Sequence, residues 1–480
     1  MPAGWVVLLF CIFVSGEAAA LTQSQLQSNF VANGCEVVVN PNAADTVHTE
    51  WSLGYSFMGA WNHAMQLALS SPSCSTSITI YLSPPTSSAE TLARGAWRFN
   101  PYSSLDLDSF PAGFSLTLDG GAAAHSATIT TGGLRSLLDV SVGRALTLRG
   151  LSLSLCAQQY VSLVDGTTAT NTHSHSSSYL PPSSRTRQQG DPGRCVTVRD
   201  GGTLIVESSS FSDNTVGGEY FGRDGAAIAA EAGSTLQLSH SNFTNNVAFG
   251  CGGAVAAAGT SSTVTIEGCF FEGNACPGTL DTTYLKYQGG GAVCVRGDLE
   301  INASTFAGNR AGCDGVTASA GCTLGTERAG YGGAVLLYSS ESTRDNALKA
   351  ITASSQQQDS GSLSSSTTTT TTSAPTTTSS TLRLEYSWLE SNTAQTLGGG
   401  VFMTGGASFF VSNTTLMGNL DALGVGLVSV SGSEIEFQCP LGQYAPMTST
   451  LAADLPEAGC PHLCAPGHYV RFERARRELL

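Results

Sequence analysis

Charge is what this chain has least of. Only 12 % of its 480 residues are Asp, Glu, Lys or Arg, and the 36 acidic residues outnumber the 21 basic ones. Nucleic acid and anionic membrane surfaces are held by concentrated Lys and Arg, so this balance argues against both as partners. Beyond the N-terminus no stretch reaches the roughly 18 consecutive apolar residues that cross a bilayer, and no transmembrane anchor is expected. No double Cys-x-x-Cys pattern is present to build a structural zinc centre. Cys460, His462 and Cys464 lie close together, but without a second ligand pair nearby, and disulfides are the expected fate of the cysteines. Glycine is plentiful at 55 residues, yet without the three-residue period of collagen. With charge so scarce, the water-facing surface has to be built from Ser, Thr, Asn and Gly.

The N-terminus opens with an uninterrupted apolar run over residues 5–14, followed by the small residues Ala18, Ala19 and Ala20. This predicts a signal peptide over 1–20, although no positive charge precedes the run. Cleavage removes Cys11 and leaves thirteen of the fourteen cysteines, a number suited to an oxidising compartment. Asn242, Asn302 and Asn413 each open an Asn-x-Ser/Thr sequon, which makes them candidate glycan sites on a secreted or cell-surface protein.

The middle of the chain is built by repetition. Leu236 and Leu238 precede Phe243 and Asn246, and then comes Gly252-Gly253-Ala254-Val255. Val264 and Ile266 precede Phe271 and Asn274, with Gly290-Gly291-Ala292-Val293 after them. Leu299 and Ile301 precede Phe306 and Asn309, with Gly332-Gly333-Ala334-Val335. Weaker copies place Phe211 and Asn214, Leu389 and Asn392, and Leu416 and Asn419 at the same offsets. In all six copies the Phe or Leu stands at the fifth position after the second strand apolar, and the Asn at the third position after that.

Short strands alternate inward apolar and outward polar side chains. A unit this small cannot close its own core and must stack on its neighbours. Stacking in register predicts a column of Phe, a column of Val and a ladder of Asn amides. Asn also tolerates the left-handed backbone region where a strand ends. Paired glycines permit a turn with positive φ or a close approach of two backbones. The expected fold class is all-β: a right-handed parallel β-helix, a pectin-lyase-like solenoid with inserted loops.

Residues 21–110 are expected to hold a capping region and possible first coils. A helical stripe of Trp61, Met65 and Leu69 would close the N-terminal end, and residues 77–82 would form an early strand. Residues 111–438 form the β-helix proper, with low-complexity insertions near 157–194 and 339–380. Cys313 and Cys322 are placed to close a small loop. Residues 439–480 change character and open a Cys-rich segment.

The Phe-x-x-Asn and Gly-Gly-Ala-Val motifs of residues 243–255, 271–293 and 306–335 resemble the repeats of the chlamydial polymorphic outer membrane proteins. That resemblance implies a surface-exposed passenger involved in adhesion or host contact. The segment from Cys439 through Tyr469 resembles instead the Gly-x-Tyr, Cys-rich modules of eukaryotic extracellular proteins, with the chain stopping as the module begins. A eukaryotic source and a partial chain are the expectation.

No catalytic, cofactor-binding or metal residue is assigned. The closest carboxylate pairs are Asp106 with Asp108 and Glu434 with Glu436, each spaced to share one face of a strand and neither with companions on adjacent coils. Asp139, Glu207, Glu267 and Glu300 read as solvent-facing, and His173 and His175 sit in a Ser-rich insertion. The expected function is noncatalytic: an extracellular structural, adhesion or glycan-binding protein whose partners are cell-wall or matrix glycans or surface proteins. The alternative is a polysaccharide-acting lyase or glycoside hydrolase on the same fold, which would need two positioned carboxylates.

Overall fold

A computed structural model describes residues 30–39, 53–82, 95–99, 105–121, 127–131, 136–156, 194–217, 223–278, 288–314, 322, 327–338, 380–404, 407–422, 427–430, 434–438, 443–444 and 462–463. The proposed signal peptide, His173 and His175, most of both low-complexity insertions, Cys460 and Cys464 lie outside these residues.

One coil shows how the repeat folds. Ile228–Ala230 and Thr235–Ser239 lie in a 19-stranded sheet, Asn242–Thr244 in a 9-stranded sheet and Val247–Ala248 in a 5-stranded sheet. The chain then returns to the first sheet at Val255, paired in parallel with Ile228. Phe211, Phe243, Phe271 and Phe306 align as register partners on four successive coils, succeeded by Leu389 and Leu416. The result is a solenoid-type all-β fold. Its parallel stack runs from Glu36–Val39, through Ser77–Tyr81 and Ser115–Asp119, as far as Glu434–Gln438.

The predicted columns are present. Phe211, Phe243, Phe271 and Phe306 stack with ring centroids 5.1, 4.6 and 4.6 Å apart and planes within 5° of parallel. Ile228, Val255, Val293, Val335 and Val401 are fully buried and line up beside them. The Asn column forms a continuous amide ladder. Each Nδ2 donates to the Oδ1 one coil on: Asn214 to Asn246, Asn246 to Asn274, Asn274 to Asn309, Asn309 to Asn392 and Asn392 to Asn419, all at 2.8–2.9 Å.

One expectation about that Asn changes. The left-handed position is the residue before it, at Asp213, Asn245 and Ser391 with φ of 54–56°, and at Gly273, Gly308 and Gly418. The Asn itself is buried, its amide turned along the stack. The division of labour in the Gly pair is also plain. Gly290 has φ of 64°. At Gly291 a Cβ would be driven into the carbonyl oxygen of Gly333 on the next coil. The first glycine makes the turn, and the second lets two backbones approach.

Helix α1, Leu53–Ser70, packs near the N-terminal end of the stack. Its buried residues include Phe57, Ala60, Trp61, Ala64 and Ala68, at helical spacing, while Leu69 is exposed. The expected stripe is therefore rotated: Trp61 belongs to it and Leu69 does not. Trp61 meets Phe110 edge-on at 5.4 Å, and Phe110 stacks on Phe114 at 4.7 Å, tying the helix to the coils.

Candidate functional site

Charge is rare on this chain, so the places where it gathers are informative. Three arginine-centred clusters sit on the outer face of neighbouring coils towards the N-terminal end. Asp119, Arg149 and Glu207 are register partners on successive strands. Arg149 lies 3.5 Å from Asp119 and 2.7 Å from Glu207. The hydrogen bond to Glu207 is the main cause that raises the Arg149 pKa further above its ordinary value. Arg199 bridges Asp139 at 3.5 Å and Glu231 at 3.1 Å in the same manner. Arg144 pairs with Asp108 at 3.3 Å and donates to the carbonyl oxygens of Asp108 and Phe110.

The two carboxylate pairs singled out in the sequence fare differently. Asp106 ends the strand Leu105–Asp106, whereas Asp108 sits in the 3-10 turn Leu107–Ser109, so the two do not share a strand face. Asp106 caps that turn by accepting the main-chain N–H of Asp108 at 2.7 Å, and it also accepts the Ser141 hydroxyl at 3.0 Å. Asp106 also has a companion, contrary to expectation, because Asp139 is its register partner on the next coil. Asp139 is itself buried, with 9 % exposure, rather than solvent-facing. Its register partner on the following coil, Thr197, is buried as well, with its hydroxyl 2.6 Å from that of the buried Ser136. Glu434 and Glu436 lie on the strand Glu434–Gln438, and their side chains fall outside the described residues.

Chemically these clusters hold coils together. In each acid–arginine–acid row the guanidinium occupies the space between the two carboxylates, which a scissile bond would need in a glycosidase. Among the described residues no group of three or more His, Cys, Asp or Glu is placed to hold a metal ion. Glu207 is half-buried on Arg149, while Glu267 and Glu300 are exposed, as the alternation predicted.

The broad outer face between these clusters carries hydroxyls in register. Thr79, Thr117 and Thr147 align on three successive strands, Thr147 itself being buried, and Thr203, Thr235 and Thr263 on three more, half-buried to exposed. Of the sequon residues, Asn242 and Asn413 are exposed and Asn302 is half-buried.

Two features are not apparent from the sequence. One is a second ladder, two positions before the Phe column: Ser209, Ser241, Cys269, Ser304, Ser387 and Thr414, all buried. Each hydroxyl here points back to its own turn, as in Ser241 Oγ to Ser239 O at 2.8 Å, and accepts an N–H from the preceding coil, as in Ser304 N to Ser387 Oγ at 3.1 Å. A column alignment of the six copies would have exposed it. The other is an apolar cluster outside the main core. Cys294, Leu336 and Phe402 point outward from the large sheet yet are buried under Cys251, Tyr331 and Leu397. Those covering residues occur where the chain forms isolated parallel bridges at Cys251, Gly289, Tyr331 and Leu397. The strict apolar-in, polar-out rule fails there because the solenoid carries a second layer.

Among the described residues four disulfides are present: Cys35–Cys74, Cys156–Cys195, Cys251–Cys294 and the expected loop closure Cys313–Cys322. Cys156 stands where the ladder Asn would stand, three residues after Leu153, and its N–H reaches Asn214 Oδ1 at 2.9 Å.

Comparison with known proteins adds one short likeness. The chain is 38 % identical over 81 residues to the probable autotransporter YfaL of Escherichia coli (strain K12), a match covering 16 % of this chain and 6 % of that protein. No family model and no solved structure matches the chain. No helix among the described residues is long and apolar enough to cross a membrane.

Proposed function

We propose that this chain is a noncatalytic extracellular binding or structural protein, built as a right-handed parallel β-helix of the pectin-lyase-like type and displayed outside the cell. Its outer face engages cell-wall or matrix glycans. The observation that carries this reading is the in-register threonine row 203-235-263, half-buried to exposed, with the half-buried pair Thr79 and Thr117 in register on the same sheet. Hydroxyls repeating at about 4.8 Å along a sheet offer many weak, equivalent hydrogen bonds and suit an extended polar polymer. The stretch shared with an autotransporter supports placement at a surface, as do the disulfides and the apolar leader. Exposed Asn242 and Asn413 are the sequons best placed for glycans.

A second reading has one observation in its favour. Asp106 and Asp139 are neighbours across two coils, the kind of placement a polysaccharide lyase or hydrolase would use. One experiment separates the two. The purified chain is screened against plant, algal and animal glycans with binding and product release read together. Retention without cleavage is the expected result, whereas release of oligosaccharides that Asp139→Asn abolishes would establish the enzyme.

A further inference from the structure

The Asn ladder has a direction, and among the described residues it stops with donors unanswered. Each rung gives its main-chain N–H and one amide hydrogen to the Oδ1 of the following coil. Asn419 is the last rung. Its Oδ1 accepts from Asn392, and its Nδ2 donates back to Leu389 O at 2.8 Å. Its own N–H meets no acceptor among the described residues, although Asn419 is only 6 % exposed. The hydroxyl ladder ends in the same way. Thr414 Oγ1 takes the Ser387 N–H at 3.4 Å, and the buried Thr414 offers its own N–H to nothing described. Between them lies Thr415–Met417, the outermost strand of the 9-stranded sheet, paired on one side only with Trp388–Glu390.

No described residue supplies the next rung. The large sheet goes one strand further, with Phe437 opposite Val411. Five residues beyond Phe437 stands Gly442, and three beyond that Ala445, where a bulky apolar residue and an Asn would be needed. Gln443–Tyr444 pairs antiparallel with His462–Leu463 instead. Large apolar side chains are exposed at this same end: Tyr386, Trp388, Met417 and Leu420.

We propose that the edge formed by residues 414–419 is a strand-docking site for an extended segment of another polypeptide. The recognised pattern is Ser/Thr-x-apolar-x-x-Asn, the rung that the solenoid repeats internally. The incoming strand runs parallel to Thr415–Met417 and sets its apolar residue on Leu416. Its Asn Oδ1 accepts the Asn419 N–H and amide, and its hydroxyl accepts the Thr414 N–H. Main-chain bonds hold such a strand, and the apolar and Asn positions select it. The continuity is with the coil-to-coil interface already built five times along the ladder. This site is independent of any glycan reading of the threonine face.

The test uses a fluorescent synthetic peptide of residues 303–311, which contains Ser304, Phe306 and Asn309 at the required spacing. It is titrated against the full chain by anisotropy, and against it stands the same peptide carrying Asn309→Ala. Saturable binding is expected, weakened about tenfold by the substitution, since a buried donor left unpaired costs that much. Hydrogen exchange should show the Thr414 and Asn419 amides unprotected alone and protected with peptide. The proposal is overturned by any of four results: no saturable binding, equal binding of both peptides, amides already protected in the peptide-free chain, or a dimer that buries this edge.

Discussion

Asn274 gives both its main-chain N–H and an amide hydrogen to Asn309 Oδ1, at 3.0 and 2.9 Å. Asn309 in turn gives the same two groups to Asn392 and its remaining amide hydrogen to Phe271 O at 3.0 Å. Every hydrogen-bonding capacity of a fully buried amide is thereby used, three coils deep. Low local polarity makes such a network strong when complete and costly when broken.

Asn309→Ala removes the acceptor of two buried donors on Asn274 and the donor to Phe271 O. Each stranded group costs about 1–3 kcal/mol, so a loss of at least about 3 kcal/mol is expected in denaturant unfolding. Asn419→Ala strands the Asn392 donors and Leu389 O, but Asn419 is the last described rung and 6 % exposed where Asn309 is fully buried, so water can answer part of the loss and it should cost less. Equal losses at both positions would show that the ladder is not the source of the stability.

The glycines separate two physical demands. Gly291→Ala pushes a methyl group into backbone atoms of Gly333 and Arg310. Backbone cannot swing aside as a side chain can, so this variant should fail to accumulate as folded protein. Gly308→Ala meets open space but keeps a φ of 61°. Its expected cost is about 1–2 kcal/mol, the ordinary penalty for a left-handed alanine. Ala303, already left-handed at φ of 48°, shows that the solenoid accommodates such a residue.

Periodicity decides which parts of this fold are legible in the sequence. The five-then-three offset places Phe271 and Asn274 in their columns because both are forced by in-register stacking, a property of the repeat itself. Ser304 is hidden because a buried hydroxyl in a Ser-rich chain looks like surface until six copies are superposed. Leu336 and Phe402 break the alternation because outward burial requires a covering layer, and Tyr331 and Leu397 approach from turns of irregular length. Asp139 is obscured for a related reason: its neighbour Asp106 lies 33 residues away, and only the coil register brings the two together. The arginine rows cannot be paired from sequence, since loop insertions hide which strands are adjacent.

The Cys156–Cys195 bridge closes the base of the insertion between residues 156 and 195, with a sequence separation of 39. Joining the two ends limits the unfolded chain far more than the folded one. Replacing both cysteines by Ser should lower stability by about 2–4 kcal/mol, read as the shift in unfolding midpoint. Removing the Cys313–Cys322 bridge, with a separation of 9, should cost less.

Cys269 occupies a serine position in the hydroxyl ladder and is almost fully buried. Burial pushes its thiol from the ordinary 9.0 up to about 11, against the smaller opposing effect of the Ser241 N–H. Between those two pH values the unfolded chain has lost this proton while the folded chain retains it, so raising the pH favours unfolding. The contribution is complete below pH 9 and disappears as pH climbs through 11. The gap corresponds to about 2–3 kcal/mol. Cys269→Ser keeps the ladder geometry, because Ser241 and Ser304 already fill the same column, and it deletes the titration. Unfolding free energies measured from about pH 8 to 11 should therefore fall more steeply for the parent chain than for the variant. Parallel curves would mean that the thiol ionises without sensing the fold, and rapid alkylation of Cys269 in the native protein at about pH 8 would mean the same.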